Sequence, residues 1–322
     1  MKRFFTTFIL SVLLIGTLPS VAHAQQVLVP GGNVIGLHLE DDTVTVAAFD
    51  QDLGGAAREA GLEIGDRVLE IQGQAVDSAE DIRDALQKNP DQVSLTVARG
   101  SKVKTLNIKP QMAKTGPKLG IFLRQGVSGI GTVTWYDPDS HRFGTLGHGV
   151  SSRQGMLIRM TEGTVYNAEV SSVVPGKKGK PGLLKGSANA DSPSGSLYRN
   201  TPQGVFGKTK QDLLGQPLPT AVFSQLHTGD ATIRSTVSGK VPQEYSVEIL
   251  KIYPENREDC RNFLLQVTDP RLLSATGGIV QGMSGSPVIQ DGRIVGAVTH
   301  VLVNDPTVGY GIFIENMLKA AA

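Results

Sequence analysis

The sequence predicts a mainly β protein of two domains, a smaller α+β unit followed by a larger all-β one. Three observations carry this. The 322 residues are enough for two ordinary domains. The composition sets 38 glycines against only 5% aromatic residues, a balance that favours a turn-rich β fold over a helical bundle. Strand and helix signals alternate up to about residue 110, whereas beyond it the runs are short, apolar or β-branched and separated by glycine turns.

Ahead of both domains, Lys2 and Arg3 precede an apolar run from Phe4 to about Leu18, and Ala22-His23-Ala24 offers a small-x-small cleavage site. Residues 1–24 therefore read as an export signal, cleaved after Ala24. The run is short for a membrane span of ~20 residues, although an uncleaved anchor is the alternative.

The first domain is placed at 27–110, opened by Pro30-Gly31-Gly32-Asn33. Thr43 to Phe49 is β-branched and apolar, so a strand is expected. A short helix over Ala56 to Ala60 closes at Gly61, the residue type that tolerates the left-handed conformation after a helix. Arg67 to Ile71 is a second strand. Ser78 can cap a helix running to about Lys88, with Asp81 at its third position and Ile82, Ala85 and Leu86 on one face. Val93 to Ala98 and Lys104 to Ile108 complete the unit as strands. Residues 111–118, with Gly116-Pro117, are expected to be a linker. The second domain, 119–322, begins with the strand-like runs Leu119 to Leu123, Gly131 to Tyr136 and Arg142 to Leu146. Pro175 to Gly186 is a basic, glycine-rich loop within it, read as solvated or in touch with an anionic partner.

Composition excludes several functions. Charge is balanced, 31 basic against 30 acidic residues, so no nucleic-acid footprint is present. Cys260 is the single cysteine. No intrachain disulfide is possible, and its Glu258-Asp259-Cys260-Arg261 setting lacks the glycine turn and histidine of a nucleophile. No His-Glu-x-x-His helix or other metal set occurs, and no cofactor is expected.

Two motifs carry chemistry. Gly144-Thr145-Leu146-Gly147-His148-Gly149 sets a histidine between glycines at a strand end, where it can move protons. Gly282-Met283-Ser284-Gly285-Ser286-Pro287 matches Gly-x-Ser-Gly-x-Pro and leads into an apolar strand. A glycine before the serine lets the backbone turn, so that the amides of Gly282 and Ser284 can stabilise an oxyanion beside the Ser284 nucleophile. Together, His148 then Ser284, they point to a serine peptidase. His300, in Ile294-Val295-Gly296-Ala297-Val298-Thr299-His300, falls where a wall of the substrate cleft is expected. His141 and His227 read as surface residues.

Gly55-Ala56-Ala57-Arg58-Glu59-Ala60-Gly61-Leu62-Glu63-Ile64-Gly65-Asp66-Arg67-Val68-Leu69-Glu70-Ile71-Gln72-Gly73 resembles the core of a PDZ domain. That resemblance implies strand addition of a peptide at a sheet edge, with Val34, Ile35, Gly36 and Leu37 as the peptide-binding loop. Val34 replaces that loop's first glycine. Gly282 to Ile314 resembles the end of a chymotrypsin-like peptidase, which implies a double β-barrel. Thr145 to Gly149, Gly277 to Pro287, Gly296 to Val301 and Val303-Asn304-Asp305-Pro306-Thr307 are similar to the sporulation stage IV protein B (SpoIVB) peptidases. This second resemblance implies an exported endopeptidase in the space around a forming spore. It would cleave itself and a membrane-protein regulator of an intramembrane protease, leading to sigma-factor maturation. It also implies Asp269, shortly before the serine loop, as the acid of the triad; a chymotrypsin-like layout points instead to Asp191 or Asp212. A quality-control peptidase, which usually carries its PDZ domain after the catalytic one, and a non-catalytic PDZ scaffold are the competing readings.

Overall fold

A computed structural model describes residues 26–152, 155–211, 215–257 and 259–322. The expected export signal, 1–24, lies outside the described residues. In chain order the elements begin with β1 (Val27–Pro30), β2 (Val34–Phe49), α1 (Gly55–Glu59), β3 (Arg67–Ile71), β4 (Gln74–Ala75), α2 (Ala79–Lys88), β5 (Val93–Arg99), β6 (Lys102–Ile108), β7 (Gln111–Ala113) and β8 (Gly116–Lys118). They continue with β9 (Ile121–Tyr136), β10 (Arg142–Thr145), β11 (Glu162–Val174), β12 (Leu183–Thr201), β13 (Gly204–Thr209) and β14 (Leu218–Pro219). The last are β15 (Gly229–Ser235), β16 (Gln243–Ile252), β17 (Phe263–Val267), α3 (Pro270–Thr276), β18 (Pro287–Gln290), β19 (Arg293–Leu302), β20 (Asp305–Phe313) and α4 (Ile314–Ala321).

Two closed barrels and a smaller inserted unit account for these elements, in keeping with the expected mainly β fold. The ring β2-β9-β10-β13-β12-β11 returns from β11 to β2 and closes the first barrel. Ile35, Leu37 and Leu39 alternate into its core with Val133, Phe143 and Val205, as the two-residue period of a strand requires. The second barrel closes as β15-β16-β17-β20-β19-β18. Ile233, Val247, Ile249, Phe263, Leu265 and Val298 fill it, each essentially inaccessible to solvent.

The PDZ-like unit sits inside the first barrel's chain path. The second half of β2 pairs with β3 and with the start of β9, and β5 and β6 extend that sheet. α2 packs Ile82, Ala85 and Leu86 against Val68, Ile71, Val93 and Leu95. Ser78 caps α2 by accepting from the Asp81 N–H, and Asp81 returns the bond to the Ser78 N–H at 2.8 Å. The Arg99 guanidinium pairs with the buried Asp66 carboxylate through Nε and Nη2, tying the loop before β3 to the end of β5.

Two expected boundaries shift. The first domain does not own residues 27–40: β1 pairs with the end of β9, and residues 34–39 pair with β9 and β11 in the barrel. One 16-residue strand, β2, serves both units. The polar stretch Glu40-Asp41-Asp42 in its middle is a bulge, where the register against β9 jumps from Leu39 to Val44. Gly126 makes room for that bulge; its φ is +73°, and a Cβ there would lie 2.0 Å from the Leu39 carbonyl oxygen. The expected linker, 111–118, is instead a hairpin, β7 against β8.

Candidate active site

His148 and Ser284 line one cleft between the barrels. His148 follows β10 of the first barrel. Leu146 and Gly147 both take φ of +68°, a left-handed pair that turns the chain off the strand. Asn200 holds the segment beyond: its carboxamide accepts from the Val150 N–H and donates to the carbonyls of Val150 and Ile158. The His148 Nδ1 lies 3.0 Å from the Gly149 carbonyl, which makes Nδ1 the protonated nitrogen and leaves Nε2 as a base. Burial lowers the His148 pKa, so the ring is neutral at pH 7.

Ser284 stands on a turn held from both barrels. Met283, fully buried, anchors it from below, and its N–H donates to the Val280 carbonyl. On one side Gly285 N–H donates to Val298 of β19. On the other, β9 of the first barrel makes three bonds: Thr132 Oγ1 to the Gly282 carbonyl at 2.7 Å, Thr134 Oγ1 to the Gly285 carbonyl at 2.8 Å, and Thr132 N–H to the Ser284 carbonyl at 3.2 Å. Gly285 has to be glycine: its φ is +97°, and a Cβ would sit 2.0 Å from the Thr132 carbonyl oxygen. The Ser284 hydroxyl donates to the Thr299 carbonyl at 2.7 Å.

The expected oxyanion donors are set by their carbonyl neighbours. A trans peptide points its C=O and N–H to opposite sides. The Gln281 carbonyl accepts from Leu184 N–H at 2.8 Å, which directs the Gly282 N–H the other way. The Met283 carbonyl accepts from Ser286 N–H at 2.9 Å, which does the same for the Ser284 N–H. Among the described residues neither amide has a backbone acceptor. The Leu184 bond places the basic hairpin of 175–186 directly against this loop, reinforced by Gln281 N–H to the Gly182 carbonyl and Gly176 N–H to the Thr276 carbonyl.

His300, on β19, lines the same cleft. Its ring centroid is 5.2 Å from that of His148, and its Nδ1 is buried without a hydrogen-bond partner among the described residues. Burial, then the neighbouring His148 and Arg261, push its pKa down to about 4.

The expected acid is not brought to His148. Asp269 caps α3, and its two oxygens accept from the Arg271 N–H and guanidinium and from the Ser246 N–H. The Arg271 guanidinium holds its carboxyl far below the usual carboxylate range. An Asp-Pro pair is a helix start in its own right, and α3 uses it so. Asp191 is exposed in the middle of β12, and Asp212 lies outside the described residues. The His148 Nδ1 faces a backbone carbonyl in place of a carboxylate.

The expected peptide-binding loop is also elsewhere. Val34, Ile35, Gly36 and Leu37 are buried; Ile35 to Leu37 pair on both sides, with β9 and β11, and Val34 pairs with β9, so the loop is built into the barrel. The PDZ-like sheet instead ends on residues 121–125 of β9, which among the described residues pair only with β2. Gln125 Nε2 donates to the Asp77 carbonyl just ahead of α2, and Leu119 shares a core with Ile82 and Leu86. Leu119-Gly120-Ile121 thus enters this open edge beside α2. Those residues were legible as Φ-Gly-Φ; they sit at the end of the unit rather than its start because β9, the strand that leaves the unit, supplies this edge. His141 is exposed, and His227 is an exposed partner of Asp291.

A family model described as SpoIVB peptidase S55 matches residues 115–318, and a PDZ domain model matches residues 50–99. A curated relative, the putative zinc metalloprotease BH06270 of Bartonella henselae, is 32% identical over 96 residues, 30% of this chain. The chain spans 26% of that relative's length. Among solved structures, the PDZ domain of the SdrC-like protein Lmo2051 from Listeria monocytogenes is 30% identical and covers 26% of this chain and 87% of its own, with a TM-score of 0.22. The protease Rv3671c of M. tuberculosis, in its active form, is 14% identical over 61% of this chain and 75% of its own, with a TM-score of 0.38.

Proposed function

The chain belongs to the SpoIVB peptidase S55 family, a family of serine peptidases, and we propose that it is an exported endopeptidase working through a Ser284–His148 pair. The observation that carries this reading is the convergence, in one cleft, of the Ser284 hydroxyl, a half-buried neutral imidazole and two amides whose carbonyl partners aim them away from the backbone. The Ser284 hydroxyl leaves the Thr299 carbonyl, gives its proton to His148 Nε2 and attacks the scissile carbonyl. The oxyanion that forms takes the N–H groups of Gly282 and Ser284. His148 returns the proton to the leaving amine, and water repeats the cycle on the acyl-enzyme. The Gly149 carbonyl holds the imidazole tautomer, a role that a carboxylate fills in the Ser-His-Asp arrangement.

The substrate is a protein or peptide, and the PDZ-like unit gives it a docking edge at residues 121–125, away from the scissile bond. We further propose that the enzyme acts outside the cytoplasm around a forming spore, a reading that its family membership supports. There it cleaves itself and a membrane-protein regulator of an intramembrane protease, with sigma-factor maturation downstream. A fluorophosphonate probe tests the chemistry. The wild-type protein labels at Ser284 and processes itself, whereas Ser284→Ala loses both while keeping its thermal midpoint. Undiminished self-processing by Ser284→Ala removes the assignment.

A further inference from the structure

The cleft at Ser284 opens into a cavity of about 450 Å³, within the range that binding pockets occupy. Its walls are aliphatic on both sides: Leu37, Leu39 and Ile130 from the first barrel, and Ile279, Val280 and Val301 from the second. Among the described residues no Asp, Glu, Lys or Arg lines it. The two ionisable groups that do, His148 and His300, are both kept neutral by burial. Ile279 seals the floor against β20: a Cβ on Gly309 would lie 2.5 Å from Ile279 Cδ1, so no larger or charged group fits between them.

The position of each wall relative to the oxyanion turn gives it a role. Ile279 and Val280 lead directly into Gln281 and Gly282, and Val301 follows His300 on β19. A carbonyl seated on the Gly282 and Ser284 amides therefore carries its own side chain toward these three residues. We propose that the site selects peptide bonds whose acyl-side residue is aliphatic, with Leu, Ile, Val or Met against Ile279, Val280 and Val301. This rests on the serine-peptidase reading and adds the substrate class to it. An aliphatic side chain leaves water for apolar walls. A charged one loses its hydration and finds no counter-charge.

The experiment uses the full chain on a proteome-derived peptide mixture. Mass spectrometry reads the residues on both sides of each cut, and fluorophosphonate labelling of Ser284 runs in parallel. Leu, Ile, Val and Met should dominate the acyl side, with Asp, Glu, Lys and Arg depleted. For a matched pair of fluorogenic peptides, Leu should exceed Ala by at least about tenfold in kcat/KM, the scale of discrimination by methylene groups in an apolar pocket. Val301→Asp should shift the preference toward Lys, because it places a carboxylate in the wall. Labelling together with a Lys, Arg, Asp or Glu preference overturns the inference alone. An unchanged ranking in Val301→Asp removes the wall from it. Absence of both labelling and cleavage overturns the peptidase reading and this inference with it.

Discussion

The second barrel is made from one unbroken run of chain, residues 229–313, whereas the first is closed by strands that lie on either side of the PDZ-like unit. β2 enters that unit and β9 leaves it, and the two pair along almost their whole length. The barrels divide the chemistry in the same unequal way. The second supplies Ser284, its turn and the amides proposed to take the oxyanion; the first supplies His148 and the hydroxyls that brace the turn. A locally built barrel thus depends for its geometry on one assembled from distant segments.

The largest effect expected from breaking this arrangement is at the domain boundary. Removing residues 27–110 takes away β1 and the barrel half of β2, so the first barrel cannot close. Replacing residues 40–126 with Asn-Gly instead joins Leu39 to Val127, which already face each other in register, through a turn suited to a two-residue hairpin. The first variant should lose its cooperative thermal transition and its fluorophosphonate labelling. The second should keep both while losing cleavage of a partner that docks on the PDZ-like edge. Equal stability of the two variants would refute the shared-strand description.

A smaller effect is expected where the first barrel grips the second. Thr132→Val removes the hydroxyl that fixes the Gly282 carbonyl but keeps the shape of a fully buried side chain. Loss of one oxyanion donor outright costs on the order of 10²–10³ in kcat, and a donor left loosely held should cost roughly 10-fold to 100-fold. KM should change little. A change confined to KM would place Thr132 in substrate binding.

Acid sensitivity separates His300 from its neighbours. Its folded pKa, down to about 4, lies below the unfolded value of about 6.5. Stability from its neutral state is therefore complete above about 6.5 and is lost progressively as pH falls toward 4, because the unfolded chain binds a proton that the folded chain refuses. His300→Gln should flatten the denaturation midpoint across that window. An unchanged slope would show that other groups carry it.

The smallest effect on turnover is expected at Asp269. Asp269→Asn removes an ion pair from a buried carboxylate but keeps an oxygen for the α3 cap, so kcat should be little altered while stability falls by roughly 1–3 kcal/mol. The lowered pKa of this group means that its contribution is present above the usual carboxylate range and vanishes only in strong acid. A loss of kcat by orders of magnitude with an unchanged melting midpoint would return Asp269 to catalysis.

What was legible in the sequence divides along the same line. His148, Gly282 and Ser284 announce themselves because strand-end and turn chemistry are local, and so does the cap at Ser78. Val34 to Leu37 misled because a strand that crosses from barrel to insert carries a polar bulge at its midpoint, which looks like a terminus. Asp269 misled because closeness to Ser284 along the chain says nothing of the direction in which a helix-capping carboxylate faces. Thr132, Leu184 and Asn200 had no signature at all. Their work is done through single hydrogen bonds to backbone groups far away in sequence, and no residue pattern encodes such a bond.

The continuity of β2 and β9 also orders events in time. As the chain leaves the ribosome, Leu39 emerges long before Val127, its partner in the first barrel. Until the insert folds, the two ends form a long, open loop whose closure is entropically opposed. Once it folds, its own strands deliver both ends side by side and the barrel can zip onward toward Thr132. Closure of the first barrel, and with it the cleft that His148 shares with Ser284, is therefore favoured once the insert has folded.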